Sequence, residues 1–367
     1  MAYMEEMAMA KKTEVTESRE SRLFGVIPMW KSTTKTQRLT DESRTKNILE
    51  QKSVIAVEAK AEAELQVTGT KGDVYTKEII QRILDEGCLD MWPSSKYSDG
   101  VPAHTLSVNH LMTTYDLTKG EMPLITLRPI AVRYAIGELL WIYQDQSNNL
   151  DLLKEKYGIT WWDEWDIGDR TIGAVYGETV RRHNLVQELL DDIKNNPDGR
   201  RHIINMWQVD DYKDKHGLKP CAYQTAWNVR HGKDGKDYLD MCLYQRSSDF
   251  MAAGCINQVQ YLVFLHLVAR HCGYIPGRFS WFVQNIQIYD RHVELAKELI
   301  ARQPVACKPE IWLNPEKTNF YDFTVDDIKI KGYPRKTIAE KNPQMSFDIG
   351  HENVDTEGFS LEEFLSE

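Results

Sequence analysis

A stretch at residues 258–272 that is apolar on nearly every side of a helix places the strongest constraint on how this chain folds. A surface helix carries an apolar stripe on one face only, so a helix that is apolar all round is buried on all sides. The stretch is shorter than the roughly 20 residues that span a bilayer. The sequence therefore predicts a central buried helix in a large soluble domain, and no transmembrane segment.

Patterns around that helix predict a mixture of helices and strands. Apolar residues recur at helical spacing in three further segments, residues 75–89, 131–143 and 183–194. Alternation of apolar residues predicts two strands, at 223–229 and 239–243, and the glycine-containing stretch between them predicts a hairpin turn. Because the elements follow no regular βαβ repeat, the pattern indicates an α+β domain.

Composition divides the chain into three parts. Residues 1–72 are rich in Thr, Ser, Glu and Lys with little apolar periodicity, which predicts a mostly disordered extension with a possible short helix near Ala56. This extension is either a solvated tail or a partner-binding arm. Residues 73–350 carry the periodic patterns and form the predicted folded domain. Residues 351–367 are acidic and contain no Lys or Arg, which predicts an exposed tail.

Charge and cysteine usage bound the function. The formal net charge of −10 argues against a general nucleic-acid binder, although a few arginines can still form a phosphate pocket. The N-terminus lacks the apolar stretch and cleavage site of a secretory signal. The six cysteines show neither paired spacing nor metal-site spacing. A reducing, cytoplasmic location is therefore expected, with no metal.

Cys221 stands at the entry of the first predicted strand, directly after Pro220. A lone cysteine in a strand is ordinarily a small buried apolar residue. Its neighbourhood favours chemistry, because residues 245–249 (QRSSD) collect groups suited to phosphate and base recognition, and a guanidinium such as that of Arg246 can also lower the pKa of a nearby thiol. Arg200 and Arg201 follow a turn and are either a solvated pair or further phosphate ligands.

Glu138 lies inside an apolar run, where an unpaired charge is costly to bury. It either faces solvent or is a carboxyl group with a raised pKa that can move protons near neutral pH. The segment TWWDEW adds Trp161, Trp162 and Trp165. These are either core aromatics or a flat wall on which a ring-bearing cofactor stacks.

Residues from about Asp73 to Gly350 resemble the thymidylate synthase family, and are most similar to its Bacillus-like branch. The segments that carry this resemblance occur in the family's order and read DGVPAHTLS, GELLW, TWWDEW, GAVYGE, DGRRHI, KPCAYQT, QRSSDFMAAGCINQVQY and IYDRH. The resemblance implies a thymidylate synthase fold, a large twisted mixed β-sheet flanked by helices. It also implies a homodimer formed through the sheets.

The implied reaction is the reductive methylation of dUMP to dTMP. The expected co-substrate is 5,10-methylenetetrahydrofolate, which supplies the carbon and the hydride and leaves as dihydrofolate. Cys221 matches the nucleophile that adds to C6 of uracil, which makes C5 a carbon nucleophile able to attack the folate's methylene iminium. The expected partners are dUMP, the folate and a second copy of the chain. Neither a membrane nor a nucleic acid is expected.

The resemblance implies roles for individual residues. Those that match catalytic positions of the family are Cys221, Glu138, Tyr176, Arg246 and Asn257. Those that match nucleotide-binding positions are Arg200, Arg201, Gln245, Arg246, Ser247, Asp249, Asn257, Gln287 and Tyr289. Those that match folate-binding positions are Asp249, Trp162 and Trp165. Asn257 matches the amide that pairs with O4 and N3 of uracil, Glu138 the carboxylate that moves protons near O4, and Tyr176 a hydroxyl that assists removal of the C5 proton.

Several positions depart from the family pattern. Gln287 stands where many relatives carry histidine, and residues 100–103 lack the phosphate-binding arginine of enterobacterial members. Residues 351–367 continue past the hydrophobic end that closes over the folate in the family. Two other functions therefore stay open: dUMP hydroxymethylation, in which water captures the exocyclic methylene, and a catalytically idle homologue that binds nucleotide or RNA. A mismatch with cytosine at Asn257 disfavours deoxycytidylate as substrate.

Overall fold

The computed structural model describes residues 19–23, 27–32, 69–93, 95–212 and 218–346, and the chain divides into two units, Met1–Glu62 and Ala63–Glu367. In the first unit, β1 (Arg19–Leu23) pairs antiparallel with β2 (Ile27–Ser32). This hairpin lies within the predicted extension at residues 1–72. The possible helix near Ala56 and the acidic tail at 351–367 lie outside the described residues.

The second unit is built on a six-stranded mixed sheet with the strand order β3–β4–β8–β7–β6–β5. Its strands are β3 (Cys88–Leu89), β4 (Thr105–Asp116), β5 (Ile203–Asn205), β6 (Ala222–His231), β7 (Asp237–Asp249) and β8 (Ile275–Tyr289). Neighbouring strands run antiparallel except β7 and β8, which are parallel. The predicted α+β class and the predicted β6–β7 hairpin are confirmed.

Eight helices are described in this unit. They are α1 (Lys71–Glu86), α2 (Val132–Tyr143), α3 (Leu150–Tyr157), α4 (Gly177–Arg182), α5 (Leu185–Asn195), α6 (Cys255–Cys272), α7 (Val293–Ala301) and α8 (Arg335–Lys341). A second, two-stranded sheet pairs β9 (Glu310–Leu313) with β10 (Ile328–Lys331). The three amphipathic segments predicted from the sequence correspond to α1, α2 and α5.

Helix α6 is the buried helix that the sequence predicted. Leu262, Val263, Phe264 and Leu265 are completely shielded from solvent, and the helix packs against α2, β7 and β8. By length and composition, Phe250–Cys272 could cross a membrane, and it is the one such segment among the described ranges; 72% of its apolar window is buried inside the molecule. Packing within the protein therefore accounts for its hydropathy.

Helix α1 begins four residues earlier than its apolar pattern predicts, because Thr70 caps it. The Thr70 hydroxyl accepts a hydrogen bond from the Asp73 backbone N–H at 3.1 Å, and the Asp73 carboxylate accepts one from the Thr70 N–H at 2.9 Å. This reciprocal arrangement is a capping box, which satisfies N–H groups that the first helical turn leaves free. The polar contacts of Thr70 and Asp73 thus set the N-terminal end of α1, whereas the spacing of apolar residues predicts only which face of the helix is buried.

The large sheet has one packed face and one open face. In β7, Leu239, Met241 and Leu243 are buried beneath the helices, while the alternate side chains are partly exposed. In β4 the open face presents His110 and Met112, the latter 59% exposed. Met112 is thus a large apolar side chain that the described part of the chain leaves uncovered.

Candidate active site

Cys221 lies immediately before β6, where two other segments hold its backbone. Its N–H donates to the Tyr176 hydroxyl at 2.9 Å, and its carbonyl accepts from the backbone N–H of Arg246 at 2.8 Å. Arg246 belongs to β7, the strand beside β6, so the hairpin register brings it to the cysteine. The predicted nucleophile is therefore fixed in position at the end of the sheet.

The Arg246 guanidinium is aimed at the Cys221 thiol by two carbonyl groups. Its Nε donates to the Pro220 carbonyl at 3.0 Å and its Nη2 to the Lys219 carbonyl at 2.7 Å. Nη2 also lies 3.5 Å from the Cys221 sulfur. The guanidinium faces the Trp207 ring, with 6.0 Å between its carbon and the ring centroid. A full positive charge is thus held next to the thiol.

Burial and charge act on the thiol in opposite directions. Burial raises the pKa of Cys221, while the positive charge of Arg246 and the Tyr176 hydroxyl lower it, and burial is the larger influence. Burial therefore favours the protonated form of this thiol. Because a thiolate is the reactive form, the Arg246 charge is the local group that most favours its formation.

Tyr176 reaches Cys221 from a strained backbone. Its φ of +50° is rare for a bulky residue, and strain of this kind is concentrated at functional sites. The ring packs edge-on against Trp162 with centroids 5.2 Å apart, and Trp162 in turn contacts Trp141 at 6.1 Å. Burial raises the Tyr176 pKa well above its usual value, so the hydroxyl stays protonated.

The sequence left two alternatives for Glu138, a side chain that faces solvent or a buried carboxyl group with a raised pKa. The structure excludes the first alternative. Glu138 is 7% exposed on α2, and its Oε2 accepts a hydrogen bond from Trp161 Nε1 at 2.6 Å. Burial raises the pKa of this carboxyl, whereas the side chains of Gln260, Trp161 and Trp162 lower it. The geometry provides a buried carboxyl group whose proton is retained to higher pH than usual.

Asn257 lies in the first turn of α6 with both ends of its amide engaged. Its Oδ1 accepts from Gln245 Nε2 at 3.0 Å, and its Nδ2 donates to Gln260 Oε1 at 3.1 Å. Gln245 also accepts from Trp281 Nε1 at 2.9 Å. Neither Gln260 nor Trp281 was among the predicted site residues. The only sequence signal for Gln260 was its position one helical turn after Asn257.

The ends of β7 and β8 bring four more predicted residues together. The strand register sets Asp249 opposite Gln287, and the Gln287 amide lies 3.2 Å from the Ser247 hydroxyl. Asp249 accepts from the N–H groups of the following turn, and burial raises its pKa. Tyr289 ends β8; burial, followed by the nearby Asp249 charge, raises its pKa.

The remaining predicted residues are placed differently. Arg200 and Arg201 are exposed between α5 and β5, and neither makes a hydrogen bond or ion pair within the described ranges. Trp165 lies half-buried in the turn Asp163–Trp165, close in sequence to Trp162. Among the residues described, no group of three His, Cys, Asp or Glu side chains is arranged to hold a metal ion.

A mixed sheet whose ends gather a thiol, a fixed guanidinium and an oriented amide defines a cysteine-centred enzyme site. Comparison with known proteins agrees with this class. The family model for thymidylate synthase matches residues 74–344. The chain therefore belongs to the thymidylate synthase family, and it is an enzyme of the methyltransferase class.

Individual relatives support this assignment. A thymidylate synthase of Lactococcus lactis subsp. lactis (strain IL1403) is 45% identical over 281 residues, which cover 76% of this chain and 99% of the relative. One from Streptococcus pneumoniae (strain 70585) is 44% identical over 283 residues, with the same coverage. The solved structure of thermostable thymidylate synthase A from Bacillus subtilis has a TM-score of 0.65 at 36% identity, covering 70% of this chain and 94% of that one.

Proposed function

We propose that this enzyme catalyses the reductive methylation of dUMP to dTMP with 5,10-methylenetetrahydrofolate, through a covalent bond between Cys221 and C6 of the uracil ring. The observation that carries the proposal is the Arg246 guanidinium held 3.5 Å from the Cys221 sulfur. The named function of the relatives at about 45% identity supports it. The covalent adduct itself rests on the contact between Arg246 and Cys221.

The thiol must lose its proton before it attacks. The proton passes to solvent water, and the positive charge of the Arg246 guanidinium stabilises the thiolate that remains. The substrate phosphate binds the same guanidinium. The sulfur then forms a bond to C6, and the electron pair of the C5–C6 double bond moves towards C5 and O4. Cys221 leaves again when the bond to C6 breaks and the double bond is restored.

Three side chains act on the pyrimidine ring in this proposal. Asn257 pairs with N3 and O4, which fixes the ring over the sulfur. Glu138, a buried carboxyl with a raised pKa, retains a proton that it can share through water with O4 as negative charge develops there. Tyr176 stays protonated and orders the water that receives the C5 proton.

The sugar and phosphate are held by groups at the strand ends and by the arginines. Tyr289, Gln287 and Ser247 line the end of the parallel β7–β8 pair and offer hydroxyl and amide groups to the deoxyribose and phosphate. Arg246 contributes one phosphate contact, and Arg200 and Arg201 of a second subunit contribute others. Lysine and arginine side chains with no partner of their own are well suited to this role.

The site suits a folate on chemical grounds. The folate supplies a one-carbon unit and a hydride. Asp249, at the end of β7, offers a carboxyl group to the N–H edge of a pterin, and Trp162 offers an aromatic surface beside Tyr176. Trp165, in the same turn, extends that surface. These side chains exclude water from the reacting carbon, where water is the competing nucleophile.

We also infer that the working unit is a homodimer. The open face of the large sheet presents Met112 and other partly exposed side chains that a second sheet can cover. Arg200 and Arg201, exposed and unpartnered within the described ranges, are then available to the neighbouring site. All six cysteines are free thiols, which agrees with a location in the reducing cytoplasm.

Product analysis tests the reaction. Purified enzyme is supplied with dUMP and 5,10-methylenetetrahydrofolate, and folate absorbance and nucleotide mass are followed together. We expect dTMP and dihydrofolate to form in equal amounts. A product heavier than dTMP by one oxygen, with release of tetrahydrofolate, would establish dUMP hydroxymethylation instead. Absence of either product, with dUMP still bound, would favour an idle homologue.

A further inference from the structure

The direction in which the Asn257 amide points decides which pyrimidine it recognises. The oxygen and nitrogen of an amide are almost equal in size, so shape alone does not fix which one faces a ligand. Uracil presents a donor at N3 and an acceptor at O4, whereas cytosine presents an acceptor at N3 and a donor at N4. A reversal of the amide would therefore exchange one preference for the other.

The direction of Asn257 is set from one side by groups that cannot reverse. The Trp281 indole Nε1–H can only donate, and it donates to Gln245 Oε1 at 2.9 Å. The Ser247 carbonyl can only accept, and it accepts a hydrogen bond from Gln245 Nε2 at 3.0 Å. Gln245 must therefore turn its nitrogen towards Asn257, where it donates to Oδ1 at 3.0 Å.

The other side of Asn257 is set in the same sense. Its Nδ2 donates to Gln260 Oε1 at 3.1 Å, which directs the Gln260 nitrogen away from Asn257. Gln245 is 1% exposed, Gln260 3% and Trp281 not at all, so water cannot substitute for the partners. The donors and acceptors run head to tail from Trp281 through Gln245 and Asn257 to Gln260.

We propose that Trp281 and Gln260 are positioning residues that make the site selective for uracil over cytosine by fixing the direction of the Asn257 amide. The inference rests on the proposed function, in which Asn257 reads the base, and it assigns Gln245 to orienting Asn257. Each end of the amide keeps one unused bond. The free lone pair on Oδ1 accepts from N3–H of uracil, and the free hydrogen on Nδ2 donates to O4.

The test compares dUMP and dCMP binding, measured by calorimetry on the full-length enzyme without folate. Trp281→Phe removes the donor and leaves Gln245 Oε1 without a partner, and Gln260→Met removes the acceptor of Nδ2. We expect each to reduce the preference for dUMP over dCMP by about tenfold, the usual effect of one lost buried hydrogen bond. Asn257→Asp calibrates the assay, because a carboxylate accepts from the cytosine amino group.

Trp227→Phe is the matched control. Trp227 is a second buried tryptophan on the sheet, and its Nε1 donates to Thr225 Oγ1 at 2.9 Å, away from the amide chain. It should lower thermal stability without changing the preference between the nucleotides. Wild-type enzyme that prefers dUMP, together with Trp281→Phe and Gln260→Met variants that keep the same preference, would overturn the positioning role alone. Wild-type enzyme that does not bind dUMP would overturn the proposed function and this inference with it.

Discussion

Arg246 contacts Cys221 twice, through its backbone N–H to the cysteine carbonyl at 2.8 Å and through its guanidinium Nη2 to the sulfur at 3.5 Å. The first contact continues the β6–β7 pairing by one residue beyond the start of β6, and the second contact lies in the candidate site. Any movement of one strand against the other would therefore shift the charge relative to the thiol. The pairing of the two strands therefore places the charge that lowers the pKa of Cys221.

The first prediction concerns that pKa. Arg246→Ala removes the charge that lowers the Cys221 pKa and leaves the burial that raises it, so the pKa should rise further. The rate of Cys221 alkylation by iodoacetamide, followed by peptide mass spectrometry against pH, should then reach its plateau at higher pH than in the wild type. Arg82→Ala, an exposed arginine paired with Glu86 on α1, is the control and should leave the profile unchanged. An unshifted Arg246→Ala profile would contradict the electrostatic coupling.

The second prediction concerns the nucleophile. Cys221→Ser should abolish turnover, because a serine hydroxyl is far harder to ionise than a thiol, while dUMP still binds through Arg246, Asn257 and Tyr289. Steady-state kinetics and calorimetry measure the two effects. Cys88→Ser, on the exposed edge strand β3, should retain wild-type activity. Turnover above a trace in Cys221→Ser would require another cysteine to be the nucleophile.

The third prediction contrasts two buried carboxyl groups with raised pKa values. Above its ordinary pKa of 4.5, Glu138 is more easily ionised in the unfolded chain than in the fold, so it lowers stability as pH rises through that value towards its raised pKa. Glu138→Gln should therefore be at least as stable as the wild type at pH 7 and similar to it at pH 4, with kcat strongly reduced. Thermal melts at both pH values and steady-state kinetics measure this.

Asp73→Asn is the counterpart to that change. The two Asp73 carboxylate oxygens accept from the backbone N–H groups of Thr70 and Thr126, so in either orientation an amide nitrogen there faces an N–H that can only donate. This variant should lose about 1–3 kcal/mol of stability and keep wild-type kinetics. Loss of stability in Glu138→Gln at pH 7 would show that the Glu138 carboxyl serves the fold rather than the reaction.

The fourth prediction concerns the dimer. If Arg201 acts in the neighbouring site, an Arg201→Ala chain mixed with a Cys221→Ala chain should regain activity, because one site of the mixed dimer then has both groups. Activity after subunit exchange measures the rescue. A Cys221→Ala chain that also carries Arg201→Ala should give no rescue in the same mixture. Failure to regain activity, with exchange demonstrated by mass labelling, would place Arg201 outside the neighbour's site.

The sequence by itself determined the features that depend on local periodicity. The all-round apolar pattern of 258–272 predicted the buried helix α6, and alternation at 223–229 and 239–243 predicted the β6–β7 hairpin. The sequence also predicts roles for Cys221, Arg246 and Asn257, because they lie in motifs that resemble those of the family; these roles stay predictions. The helix and the hairpin follow from which side chains are buried and which are exposed, and the order of apolar and polar residues in the sequence contains that information.

The tertiary structure alone decided how these residues meet. Glu138 on α2 accepts a hydrogen bond from Trp161, which lies in a later segment, and α6, which carries Gln260, packs against α2. The direction of the Asn257 amide depends on Trp281, which β8 brings beside β7 through a parallel register. Distances of a few ångströms between residues far apart in sequence are set by strand register and helix packing, and periodicity within one segment carries no information about either.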